Sequence, residues 1–255
     1  KQNLGGLSPV FEVFPAPAPV LPPASACLPD PDIRPRIALI IDDLGYNRRM
    51  AERFVLLHPA ITLSVLPRSP HGAAIARSAR SRGREIMLHL PMEPLEYPAV
   101  DPGPGALTVA MAPAEIRRTL TDHLDAIPFV TGVNNHMGSR LTMLSAPMYE
   151  ILSVLKGRHL FFIDSRTSEN SLAGRTARLL QVPFARRDVF LDHDPAPSAI
   201  RAQIRLLIQI SQLHGEAVGI GHPHESTLQV LTAELPTLTN TADLVTASRL
   251  VHTSG

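Results

Sequence analysis

The sequence predicts an α/β fold, most simply a single (β/α) barrel of parallel strands with helices packed around them. Residues 36–46, RIALIIDDLGY, run almost entirely apolar before ending in two carboxylates. Such a short Ile-rich run is typical of a strand buried on both faces of a parallel sheet. From this run onward, strand-like and helix-like stretches alternate in about seven to nine units. No Gly-rich phosphate loop follows any of these strands, so a barrel is favoured over an open nucleotide-binding sheet.

The elements follow from local signals taken in order. Apolar runs predict strands at 37–42, 61–66, 85–90, 130–134, 159–163, 182–185, 188–191, 217–220 and 244–246. Helical spacing predicts helices at 48–57, 72–81, from 113 onward, and at 146–156, 171–180, 199–214 and 226–235. Pro113 suits a first helical position, because its fixed φ is already helical. The Pro-Gly-rich stretch 91–112 is predicted to be an irregular loop.

Composition limits the classes of partner. The 255 residues are 44% hydrophobic, with a mean hydropathy of +0.07, which suits a globular protein with a substantial core. The net charge is +1 with mixed signs along the chain, so neither nucleic acid nor an anionic membrane is indicated. No apolar run is long enough for a membrane span. The single cysteine, Cys27, allows neither an intramolecular disulfide nor a thiolate metal cluster.

The chain is predicted to hold one folded domain behind a leader. Residues 1–34 are rich in Pro and Ala and are expected to form a flexible leader, with a single catalytic domain over 35–255. The first residue is Lys1, so an upstream signal or anchor stays an open expectation.

Polar side chains stand at the ends of the predicted strands. In a parallel barrel the carboxyl ends of the strands form one rim, so residues distant in sequence converge there. The candidates at this rim are Asp42, Asp43, His89, His136, Asp164, Asp192 and His222.

Two imidazoles and one carboxylate form a suitable site for a divalent metal ion, most readily Zn²⁺. His89 and His136 supply the imidazoles, and one member of the Asp42–Asp43 pair supplies the carboxylate, which leaves the other as a general base. Alternatives stay open at this point: an Asp in a strand-to-helix turn often caps the helix, and a lone histidine is commonly structural. Asp164 and Asp192 suit a site or a loop role equally.

Six segments carry a family resemblance: IIDDLGY, MLHLPME, GVNNHMGS, FFIDSRT, VFLDHD and GIGHPHES, in this order. Together they resemble the divergent polysaccharide deacetylase family, a branch of the NodB-like carbohydrate esterases. The resemblance implies a NodB-like deformed (β/α) barrel of about seven parallel strands, ringed by helices. It also implies a metal-dependent deacetylase in a bacterial periplasm or another extracytoplasmic compartment.

The resemblance also implies roles for individual residues. Asp42 corresponds to the base and Asp43 to a metal ligand, and His222 to the acid that protonates the leaving amine. The family's H-x-x-x-H pair matches His89 followed by Glu93, so His136 is the candidate for the missing second imidazole.

The expected function is hydrolysis of a non-peptide C–N amide bond, in which an acyl group is removed from an N-acetylated cell-envelope polysaccharide. The expected partners are a carbohydrate or peptidoglycan-like substrate and a divalent metal, with Zn²⁺ favoured. Hydrolysis of other ester or amide bonds stays open. The alternative from a different class is a non-catalytic glycan-binding or envelope accessory protein that keeps the fold.

Overall fold

The computed structural model describes residues 34–253. The predicted leader lies outside these residues apart from Arg34. The strands are β1 (Arg36–Leu44), β2 (Thr62–Val65), β3 (Ile86–Met92), β4 (Val130–Met137), β5 (Phe161–Asp164), β6 (Phe184–Arg186), β7 (Val189–Phe190), β8 (Glu216–Gly221) and β9 (Asp243–Val245). The α-helices are α1 (Arg48–Leu57), α2 (Gly72–Ser81), α3 (Pro113–Ala126), α4 (Ser145–Gly157), α5 (Ala173–Leu180), α6 (Pro197–His214) and α7 (Glu225–Thr241).

The strands form one parallel sheet that curls almost into a barrel. Its order is β6-β5-β4-β3-β2-β1-β8-β7, and the short β9 pairs with the beginning of β1. The two ends of this order, β6 and β7, are joined by only Arg187 and Asp188. Because three residue steps span at most ~11 Å, the two edges must approach one another. The predicted barrel of parallel strands ringed by helices is confirmed, in an incompletely closed form.

The two faces of the sheet bury different apolar clusters. On β1, Ile37, Leu39 and Ile41 belong to the large cluster that includes the helices. The alternate residues Ala38 and Ile40 belong to a smaller interior cluster. Because side chains of a strand alternate between its faces, the parity of a residue predicts whether it points to the helices or into the barrel. This parity positions the site described below.

Helix α1 illustrates how the outer layer is held. Its buried residues are Ala51, Phe54 and Val55, at the three- and four-residue spacing that keeps side chains on one face. Asn47 caps the helix, since its side chain accepts a hydrogen bond from Met50 N at 3.0 Å.

Most predicted boundaries shift by one to three residues, and two differences change the description of the fold. Helix α7 continues to Thr241, six residues beyond its predicted end, with Pro236 inside it. Strand β3 continues to Met92, where the supposedly irregular loop pairs with it: Leu107 N donates to Pro91 O at 2.9 Å. Within residues 34–253, no helix is both long and apolar enough to traverse a bilayer.

Candidate active site

Strand alternation brings the first set of polar side chains together. On three strands, the residue two positions beyond an interior apolar side chain is polar, and it therefore points into the same space. These pairs are Ile40 and Asp42 on β1, Met87 and His89 on β3, and Ile220 and His222 just beyond β8. The interior of the barrel is thus lined by apolar side chains, and ionisable side chains follow them at the rim.

Asp43 reaches the site although its parity is opposite to that of Asp42. Its φ is 53°, in the left-handed region, and the pairing of β1 with β2 is irregular between Ile41 and Leu44. Holding a non-glycine residue in this conformation costs about 1 kcal/mol or more. The turn allows two adjacent carboxylates to face one site. Neither caps the next helix, because Asn47 does so.

Asp43, His89 and His136 form a compact group. Asp43 Oδ1 lies 2.9 Å from His136 Nδ1 and 3.1 Å from His89 Nε2, and the two ring nitrogens are 3.2 Å apart. One potential ligand atom from each residue therefore points at a shared position. The side chains are 8%, 2% and 13% exposed, so a small opening remains on the His136 side.

The chemistry of this group suits a cation. Both Asp43 oxygens are sealed from solvent and accept no hydrogen bond of normal geometry from residues 34–253, although Oδ1 lies within ion-pair distance of His136 and His89. Burial by itself would raise the pKa of Asp43, but His136 and His89 lower it well below its usual range. A buried carboxylate without donors is costly unless it binds a charge. The three residues therefore fit a divalent metal with nitrogen and oxygen ligands.

Asn134 organises the residues around this group. Its Oδ1 faces His89 Nδ1 at 2.9 Å and accepts from Ser64 Oγ at 2.6 Å. Its Nδ2 donates to both oxygens of Asp42, at 2.8 and 3.0 Å. When His89 Nδ1 carries the proton, its Nε2 lone pair is left for the site, as in many metal-binding histidines.

Asn134 is a residue of this site that was not predicted from the sequence. Asn134 lies on the interior face of β4, two residues before His136. A signal for it was present in the sequence, since a polar residue two positions before a predicted ligand on a strand shares its face.

Asp42 lies beside the group without belonging to it. Asp42 Oδ2 is 3.7 Å from His89 Nε2, and the side chain is 2% exposed. Burial raises the pKa of Asp42, against the opposing effects of His89, His222 and Asn134. A raised pKa makes the carboxylate a better proton acceptor.

Asp192 and His222 form a second, differently built pair. Asp192 Oδ1 lies 2.8 Å from His222 Nδ1, while Oδ2 accepts from His222 N and from Thr227 Oγ1, both at 2.6 Å. Burial would lower the pKa of His222, but the Asp192 carboxylate outweighs it and raises the pKa to about 9. The imidazole is therefore protonated at neutral pH and can donate a proton.

Asp164 is a predicted site residue that points away from both groups. Its neighbour Ile163 belongs to the interior cluster, so alternation turns Asp164 to the opposite face. There its Oδ1 accepts from Arg166 N at 2.7 Å, and burial raises its pKa. These contacts are those of a residue that holds the loop after β5.

Glu93, which stands where the family pattern has a second histidine, holds the loop after β3. Its Oε1 accepts from Arg140 Nη1 and its Oε2 from Val109 N, both at 2.8 Å. The side chain is 3% exposed. In this chain the second imidazole of the compact group comes instead from His136 on β4.

The fold and the site together define a deacetylase-like (β/α) barrel. The chain belongs to the divergent polysaccharide deacetylase family, whose model matches residues 39–251. It is 34% identical over 229 residues to the uncharacterized protein YibQ of Escherichia coli, covering 90% of this chain and 71% of that protein. The family resemblance inferred from the motifs is confirmed.

Two solved structures share the fold. An uncharacterized protein from Agrobacterium tumefaciens, ATU2773, aligns with a TM-score of 0.82 at 24% identity, covering 87% of this chain and 91% of that one. The catalytic domain of a peptidoglycan N-acetylglucosamine deacetylase from Eubacterium rectale aligns with a TM-score of 0.51 at 12% identity, covering 91% and 97%. The barrel architecture is therefore common to this chain and a deacetylase domain.

Proposed function

We propose that this protein is a metal-dependent deacetylase that removes an acyl group from an N-acetylated saccharide. The observation that carries the proposal is the convergence of Asp43, His89 and His136 on one position, with the buried Asp42 beside them. Family membership supports the reaction class.

Asp43, His89 and His136 would hold the divalent cation, with Zn²⁺ as the expected ion because one carboxylate and two imidazoles suit it. When bound, the cation supplies Lewis acidity, which lowers the pKa of a coordinated water and polarises the acyl carbonyl. The remaining chemistry belongs to the neighbouring side chains.

Two of these side chains would move the protons. Asp42 accepts the proton of the attacking water, for which its raised pKa suits it. His222, protonated at neutral pH, gives its proton to the amine nitrogen as the bond between that nitrogen and the acyl carbon breaks. Asp192 fixes the orientation of the His222 ring through its contact with Nδ1. The products are a free amine on the sugar and a carboxylic acid.

The proposed substrate is an acetylated polysaccharide of the bacterial envelope, such as peptidoglycan. The named activity of the Eubacterium rectale structure supports this class. An envelope substrate in turn supports the proposal that the protein works outside the cytoplasm.

The test is acetate release from acetylated chitooligosaccharides and peptidoglycan fragments, measured with zinc-loaded wild type and Asp42→Asn. Losing the base should reduce the rate by about 10²–10⁴-fold while the bound zinc stays. Zinc binding without turnover on the whole panel would contradict the deacetylase proposal and leave non-catalytic glycan binding.

A further inference from the structure

Arg187 is a buried guanidinium in the wall of the barrel that the reaction described above does not use. It lies in the two-residue link between β6 and β7 and is 8% exposed. Its Nε donates to Ser165 O at 2.7 Å and its Nη2 to Arg166 O at 3.0 Å. Its Cζ stands 3.7 Å from the centroid of the Phe190 ring. The plane of the guanidinium is therefore fixed by two carbonyls and one aromatic ring.

The charge of Arg187 is not neutralised by a contacting carboxylate. Burial lowers the pKa of Arg187 to about 10, so the group is still charged at neutral pH. Asp164 and Asp188 favour the charge only through space, and no ion pair to Arg187 forms within residues 34–253. Its Nη1 likewise has no hydrogen bond to the described residues. A buried arginine is normally paired, so this one has capacity for an anion.

Arg187 and the proton donor His222 both lie against the Phe190 ring. Phe190 lies between them: the guanidinium covers the Phe190 ring, whose centroid is 5.8 Å from that of His222. The charge of Asp42 also acts on Arg187. An anion held by Arg187 would therefore lie beside the reacting groups rather than on a separate surface.

We propose that Arg187 forms a carboxylate-binding subsite next to the candidate metal centre. This inference rests on the proposed function, since the deacetylation of an envelope saccharide offers two carboxylates. One is the acid freed from the acyl group, and the other is an acidic substituent of the saccharide. A planar guanidinium with fixed orientation matches a carboxylate in geometry and charge.

The test is equilibrium binding to the zinc-loaded full chain, measured by calorimetry with acetate, N-acetylglucosamine and N-acetylmuramic acid. The two sugars differ by one carboxylate-bearing ether. Wild type is compared with Arg187→Gln, and Arg186→Gln is the matched control, because Arg186 is exposed and adjacent. Acetate bound directly to zinc contributes equally to all three proteins.

We expect Arg187→Gln to lower the binding affinity for at least one carboxylate probe by about tenfold or more. The affinity for N-acetylglucosamine should stay unchanged. Loss of acetate binding alone identifies the freed acid as the ligand, and loss of N-acetylmuramic acid binding alone identifies the substituent. Arg186→Gln should match wild type throughout.

Equal affinities of wild type and Arg187→Gln for both carboxylates would overturn the subsite, even if acetate release proceeds. Selective loss of carboxylate binding in Arg187→Gln would support the subsite, even if no substrate is turned over. The subsite and the deacetylase activity can therefore fail independently of one another. Thermal unfolding checks that Arg187→Gln is folded. If it is not, Arg187→Lys replaces it, because lysine keeps the charge without the planar fork, and unchanged affinities there would overturn the proposal.

Discussion

Two groups of side chains of the types that bind metals lie at the same rim of the barrel, and their hydrogen bonds distinguish them. Asp43, His89 and His136 form the first, and Asp192, His222 and His224 form the second. In the first, neither oxygen of the carboxylate accepts a hydrogen bond from residues 34–253. In the second, the Asp192 carboxylate accepts from His222 N and Thr227 Oγ1 and contacts His222 Nδ1.

The comparison shows that proximity of ligand-type residues does not by itself make a metal site. A carboxylate whose lone pairs are already occupied by donors gains little from a cation and instead stabilises a protonated imidazole. A buried carboxylate that accepts no hydrogen bond of normal geometry requires a positive charge beside it, which a cation shared with the two imidazoles supplies. The first group is therefore suited to an ion and the second to holding a proton.

The largest expected effect separates the two groups by metal affinity. Asp43→Asn should lower the Zn²⁺ affinity by more than about 100-fold, because it removes a charged ligand, while Asp192→Asn should keep the ion. Competition titration with a zinc chelator measures both. Equal losses in the two variants would show that the comparison is wrong.

The next effect concerns the proton donor. His222→Gln should reduce the rate of acetate release by about 10²–10⁴-fold, because the leaving amine then lacks its acid. The zinc content, measured by mass spectrometry, should match that of wild type. A variant that loses its zinc would instead place His222 among the ligands.

The pH dependence of stability tests the same pair in chelator-treated protein. The pKa of His222 is raised from 6.5 to about 9, so the protonated ring stabilises the fold fully below pH 6.5 and progressively less as pH rises to about 9. The pKa of Asp192 is lowered, so the stability that its carboxylate contributes to the fold is lost only in acid. Between wild type and His222→Gln, the difference in unfolding free energy should shrink by about 3 kcal/mol over that alkaline range.

Urea denaturation at a pH of about 6 and again at about 9.5 measures this change. A difference that does not vary with pH would mean that the His222 ring is neutral in the folded protein and cannot be the acid.

The smallest effect concerns the support of the metal ligands. Asn134→Ala should weaken Zn²⁺ binding by about 10–100-fold, because His89 loses the partner of its Nδ1. Asn135→Ala is the matched control, since Asn135 accepts a hydrogen bond from Ser165 N and donates one to Met137 O, and no hydrogen bond joins it to His89 or Asp42 among the described residues. The zinc titration distinguishes the two variants. Comparable losses of Zn²⁺ affinity in both would show that Asn134 does not specifically support His89.

Local sequence signals were enough for most elements of the fold. The bounds of α1 and α2 agree with the predicted 48–57 and 72–81, because apolar spacing and helix-ending signals are local. The end of α7 was not predictable in this way. The helix passes Pro236 and buries Leu238, so tertiary packing outweighs the cost of a helical proline.

The amino-acid sequence by itself determined the parallel α/β barrel and the family, because the apolar strand segments and the polar motifs that follow them are local features of the sequence. It also placed Asp42, Asp43, His89, His136, Asp192 and His222 at strand ends. Only the tertiary structure decided that Asn134 supports His89 and that Arg187 is buried without a contacting carboxylate. The physical reason is that burial and hydrogen-bond satisfaction depend on residues distant in sequence, whereas the direction of a strand side chain depends on its immediate neighbours.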